Sequence, residues 1–75
     1  MVEHKIRSDV AGRVWQVLKG VGNSVKADEP VVIIEAMKME IPVVSGTDGQ
    51  VLSILVREGD EVAEDQVIFA IESGA

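Results

Sequence analysis

The chain has 75 residues, 7 basic and 13 acidic, for a formal charge of −6, and is 47% hydrophobic and 27% charged. That length fits one domain, residues 1–75, with a thin core and little space for an enclosed enzyme pocket. Cysteine is absent and His4 is the single histidine, which removes disulfides, thiolate metal sites and cysteine nucleophiles and makes a His-based triad or a multi-histidine metal site hard to build, and the acidic balance has the wrong sign for a nucleic-acid groove.

Valine and isoleucine dominate, while Trp15 and Phe69 are the aromatic residues. β-Branched side chains are stiff at χ1 and favour strands. No stretch sustains an apolar stripe at helical spacing. The predicted strands, in chain order, are 4–8, 13–19, 31–36, 39–44, 50–56 and 67–72. Turn signals fall at Gly20 to Ser24, Ser45 to Gly49 and Glu58 to Asp60. Short apolar runs at this rhythm predict an all-β sandwich or barrel. His4 reads as a frayed terminal residue. Trp15 reads either as a docking residue or as a half-buried strand residue. Glu58, Asp60, Glu61, Glu64 and Asp65 read as a solvated face, or else as a surface for a basic partner. No apolar run reaches the ~20 residues that span a bilayer, and no basic segment leads into an apolar one near the start. The expectation is a cytoplasmic protein with no membrane partner.

The sequence also repeats. Shifted by 37 positions, Gly12 falls on Gly49, Val14 on Val51, Leu18 on Leu55, Gly22 on Gly59, Val25 on Val62, Asp28 on Asp65, Ile34 on Ile71 and Glu35 on Glu72. The repeats are 12–35 and 49–72. Neither is long enough to bury a core alone, so two similar half-domains packed face to face about a pseudo-two-fold axis are expected. The link between the repeats, Ala36 to Gly46, then lies far from the chain ends. Symmetry places a hairpin there, although Met37-Lys38 lacks the Asn-Gly or Gly-X chemistry that two-residue turns prefer.

Within the link stands Glu35-Ala36-Met37-Lys38-Met39-Glu40, with Val31 to Ile34 leading in and Ile41 to Val44 leading out. Lys38 is thus centred between two apolar strands. A lysine amine is a nucleophile only without its proton, and two neighbouring carboxylates favour the charged form. Lys38 is therefore better suited to modification by another enzyme than to autonomous Schiff-base chemistry. Glu35 and Glu40 read as solvated strand ends rather than an acid/base pair. Met37 and Met39 could fill core, being two apart on one strand face.

The run Glu35-Ala36-Met37-Lys38-Met39, the turn glycines Gly12, Gly22, Gly49 and Gly59, and the repeat together resemble a biotinyl domain of the biotin/lipoyl attachment family, from about Ser8 to Glu72. The resemblance implies a flattened barrel-sandwich of two four-stranded antiparallel sheets, with the lysine on an exposed hairpin. It implies a non-catalytic carrier, with biotin amide-linked to Lys38 and with Glu35, Ala36, Met37, Met39 and Glu40 as recognition residues for a biotin protein ligase. The arm would move a carboxyl group from a biotin carboxylase to a carboxyltransferase, commonly serving an acyl-CoA or pyruvate, with no metal held by the carrier. The chain departs from the family pattern at Ser8-Asp9-Val10-Ala11, where many members have Pro-Met, and at Gly22-Asn23, where Gly-Asp is usual. It also lacks the inserted thumb of some bacterial carriers. Two alternatives stand: a lipoyl carrier of the same fold, whose lysine usually lies in Asp-Lys-Ala, and an unmodified interaction module.

Overall fold

The computed structural model describes residues 2–74. Its elements, all strands, are β1 (Val2–Arg7), β2 (Gly12–Val17), β3 (Ser24–Val25), β4 (Pro30–Ala36), β5 (Met39–Val44), β6 (Gly49–Ile54), β7 (Glu61–Val62) and β8 (Val67–Ser73). They form two four-stranded sheets, ordered β1-β8-β6-β3 and β5-β4-β2-β7, with every pairing antiparallel. The all-β, two-sheet expectation is met. Composition alone missed β3 and β7, because two-residue strands are too short to show alternation. The strands predicted at 13–19 and 50–56 end earlier, at Val17 and Ile54.

Every strand of the first half reappears 37 residues later: β1 as β5, β2 as β6, β3 as β7 and β4 as β8. The offset therefore extends beyond Gly12 to β1, and Glu3/Glu40 and Ser8/Ser45 are identities there. The halves, however, are not separate bodies packed face to face. Each sheet takes strands from both: β1 and β3 flank β8 and β6, while β5 and β7 flank β4 and β2. The loops interlock in the same way. Gly22 N donates to Val51 O and Gly59 N to Val14 O, both at 2.8 Å. A half-chain alone would leave its strands without most of their ladder partners, and an unpaired buried amide is costly.

The core is built of symmetric pairs, Val14/Val51, Val25/Val62, Val31/Ile68, Val32/Phe69 and Ile34/Ile71, none more than 5% exposed. The turns keep the symmetry in hydrogen bonds even where residues differ. Asn23 Oδ1 accepts from Gly20 N at 2.7 Å and Asp60 Oδ2 from Arg57 N at 2.9 Å. Glu29 Oε1 accepts from Lys26 N at 3.2 Å and Gln66 Oε1 from Ala63 N at 2.9 Å. Gly22 and Gly59 take φ of 91° and 95°, the left-handed region that glycine enters without steric cost.

His4 is a correction. It lies within β1 opposite Ile71, and its Nε2 is 2.8 Å from Ser73 Oγ. Pairing of all of β1 with β8 holds the residue in the sheet, so it is not frayed. Glu58, Asp60, Glu61, Glu64 and Asp65 are all exposed, as a solvated face requires, and several also make local contacts. Asp60 caps its turn, Glu58 Oε2 accepts from Val17 N at 3.1 Å, Glu61 faces Arg13, and Asp65 O accepts from Arg7 Nη1 at 2.9 Å.

Candidate functional site

The link between the halves is a tight hairpin. Strands β4 and β5 pair from Pro30/Val44 to Ala36/Met39, leaving Met37 and Lys38 as a two-residue loop. Their φ values are 52° and 63°. Two consecutive positive φ angles match the right-handed strand twist as a type I′ turn does. Neither residue is of a type that enters this region readily, and each pays roughly 1–2 kcal/mol for it. The ladder behind the turn is what holds it there: Ile34 and Ala36 are buried, at 0% and 7% exposure, and Ile34 pairs with Ile41. The expectation that Met37 and Met39 share a strand face is corrected. Met37 belongs to the turn and is 94% exposed; Met39 begins β5 and is 63% exposed. Neither fills core, and both bracket an exposed Lys38.

Glu35 and Glu40 are opposite one another on β4 and β5, both exposed. They lie on the outer face, whereas Ala36 points inward. The register continues the row: Glu35 faces Arg13, and Arg13 faces Glu61, with a guanidinium-to-carboxylate distance of 3.9 Å. A charged row Glu40-Glu35-Arg13-Glu61 thus crosses the sheet just below the turn. Lys38 takes part in neither ion pair formed among the described residues. The sequence singles out Glu35 and Glu40, and separately Glu61 among the acidic residues of the second half, but not Arg13; only the cross-strand register brings Arg13 and Glu61 beside the two.

Gly12 was visible in sequence as a turn glycine, yet its role is close approach. A Cβ there would lie 2.5 Å from Glu35 O and 3.1 Å from Ala36 Cβ. Glycine lets β2 press against the end of β4 immediately behind the hairpin. Beside the hairpin runs a shallow groove lined by Val10, Ala11, Ala36, Met39 and Ile41, with Asp9 and Glu64 at its edge. The segment Ser8 to Ala11 that departs from the family pattern thus runs, from Asp9 to Ala11, along the hairpin that carries Lys38. Its start is fixed by Ser8, which is 1% exposed and donates from Oγ to Val10 O at 2.5 Å.

The strand ends lie opposite. Asp9 and Glu64 stand beside the hairpin, close to the Arg7/Val67 end of the β1–β8 pair; the other end is Val2/Ser73. Six residues at about 3.3 Å each separate the two, in a molecule 38 Å long and 19 by 18 Å across.

The family model described as "Biotin-requiring enzyme" matches residues 3–71. Pyruvate carboxylase of Staphylococcus aureus is 37% identical over 67 residues, 89% of this chain and 6% of that protein. The biotin/lipoyl attachment protein of Bacillus subtilis is 36% identical over 64 residues, covering 85% of this chain and 88% of that one. Among solved structures, Kluyveromyces lactis urea carboxylase superposes with a TM-score of 0.91 at 35% identity, over 96% of this chain and 6% of that one. The lipoyl domain of the Azotobacter vinelandii 2-oxoglutarate dehydrogenase complex gives 0.74 at 32%, over 88% and 84%. The chain thus spans a small fraction of the carboxylases and nearly all of the stand-alone domains. With the family model covering almost every strand and the Met-flanked lysine on its hairpin, the chain belongs to the biotin/lipoyl attachment family, as a biotinyl-type domain.

Proposed function

We propose that this protein is a biotin carboxyl carrier whose Lys38 accepts biotin in amide linkage. The observation that carries the reading is the hairpin: an exposed lysine at a two-residue turn, bracketed by exposed methionines, on strands locked by a buried ladder. That arrangement fits the group. A ligase must reach the amine from outside, remove its proton and bring an activated acyl donor to it; Nζ then forms the amide and the activating group leaves. Glu35, Ala36, Met37, Met39 and Glu40 are the side chains around Lys38 that a biotin protein ligase would read. Ala36 contributes through its small size, as its buried methyl lets the strand end pack tightly.

Attached biotin supplies the carboxyl-carrying chemistry, and the protein supplies presentation. The rigid stalk holds the lysine at one pole, and tethering raises the arm's effective concentration at the sites it visits. On this reading the partners are a biotin carboxylase and a carboxyltransferase, and the chain itself is not catalytic. A lipoyl group on the same lysine is the second reading, favoured by the structural likeness to a lipoyl domain. Met37 and Met39 in place of Asp and Ala favour biotin.

Expression beside both a biotin protein ligase and a lipoyl ligase, followed by intact mass, separates the two. The expected product carries one biotinyl group, and Lys38→Arg carries none. A lipoyl group on the native sequence favours the second reading, and biotin on the arginine variant would show that the site is elsewhere.

A further inference from the structure

The outer face of the β5-β4-β2-β7 sheet carries a feature that attachment to Lys38 does not use. Strand β2 contains a bulge: Val14 pairs with Ile34 and Gln16 with Ile33, so Trp15 is the extra residue. A bulge re-aims the side chain it inserts. Val14 remains buried at 1%, while Trp15 is turned outward and is 44% exposed. Ile33, opposite this bulge, pairs in turn with Pro42, which is exposed. Trp15, Ile33 and Pro42 therefore make a band across three strands, next to the charged row of Glu40, Glu35, Arg13 and Glu61.

The 37-residue offset provides an internal control. The equivalent positions on the other sheet are Leu52, Ala70 and Lys5 in place of Trp15, Ile33 and Pro42. The equivalent row is Glu3, Glu72, Gln50 and Ser24. The scaffold repeats on both sides, including a bulge at Leu52, but the large aromatic and the third carboxylate belong to the face that bears the hairpin.

We infer that this face docks a carboxylase partner through a pocket that takes the Trp15 indole and is rimmed by lysine and arginine. An aromatic anchor beside a charged rim is the composition of an energetic interface centre. Three carboxylates against one arginine call for a cationic rim, which also steers encounter. A second copy of this chain is the wrong partner: a two-fold contact puts the same face on both sides, so neither side brings the cationic excess that three carboxylates against one arginine call for, in a chain already at −6. The contact orients the carrier so that the adjacent turn points toward the partner's reaction site. It rests on the carrier reading above.

Trp15 is the single tryptophan, so one indole N–H resonance reports the face without any substitution. The biotinylated, 15N-labelled chain is titrated separately with the biotin carboxylase and the carboxyltransferase of its source organism. At least one titration is expected to shift or broaden the indole signal, and added salt should weaken the effect. Trp15→Gln should weaken that binding at least about tenfold, as loss of an anchoring aromatic does, while biotinylation of Lys38 is unchanged. Leu52→Gln, at the equivalent position on the other sheet, should leave binding within about twofold, as contacts outside an energetic centre do. An indole signal unmoved by both proteins, binding indifferent to salt, equal loss from Leu52→Gln, or a shift that follows the carrier's own concentration would each overturn the inference. Failure of Lys38 to accept biotin is read by mass before any titration, and counts against the carrier reading instead.

Discussion

At the scale of single residues, the turn is the point of conflict between local preference and function. Met37 and Lys38 occupy positive φ where Asn or Gly would be at ease. Met37→Asn should therefore raise stability by about 0.5–1 kcal/mol, or roughly 4 °C in melting temperature for a domain of this size. It should also slow attachment to Lys38. Calorimetry and a timed ligase assay read the two effects separately, and a variant that is less stable would show that the turn is not strained. The lysine motif was legible in the sequence, but the turn that holds it was not, because Met-Lys carries no turn chemistry. Symmetry placed a hairpin in the link; local preference opposed it.

A second residue-scale expectation concerns acid. The Lys26 backbone N–H, followed by the Lys19 ammonium at 3.3 Å, holds the Glu29 carboxyl below its ordinary value. A carboxylate whose folded-state pKa is depressed stabilises the fold above the unfolded value of about 4.3. That contribution is lost as pH falls below it, through the folded value. Glu29→Gln keeps a side-chain acceptor for Lys26 N, as Gln66 already does for Ala63 N in the second half, but removes the charge. Its denaturation midpoint should fall less steeply than the parent's below about pH 4.3, with equal slopes contradicting the assignment.

At the scale of elements, the two sheets make paired experiments possible. Gly12 approaches Glu35 O and Gly49 approaches Glu72 O, each leaving 2.5 Å for a Cβ. Gly12→Ala and Gly49→Ala should each cost about 1–3 kcal/mol, as overpacking does, measured by urea unfolding. Only Gly12 presses on the strand that ends in the Lys38 turn, so only Gly12→Ala should also slow modification. Equal slowing by both would mean that the effect is global. The long strands were readable from their β-branched runs. The short strands β3 and β7 were not, since two residues carry no period, and the bulge that exposes Trp15 is visible only in the register.

At the scale of the whole molecule, the halves are interleaved, with β3 and β7 each placed in the sheet whose two central strands belong to the other half. The repeat was readable from its glycines and valines; the exchange of strands between sheets was not, because sequence identity shows likeness and not pairing. A peptide of residues 1–37 should therefore show no cooperative unfolding transition by circular dichroism. A folded half-chain would mean that the halves are independent. The interleaving gives the hairpin its rigidity, since β4 is held by β2 and β5 on its two edges.

The most direct measurement takes the protein from its own cells and maps its mass by fragmentation. A single biotinyl group on the side chain between Met37 and Met39 is the predicted result. A protein recovered wholly unmodified from cells with active ligase, or one bearing its acyl group on any other lysine, contradicts the account.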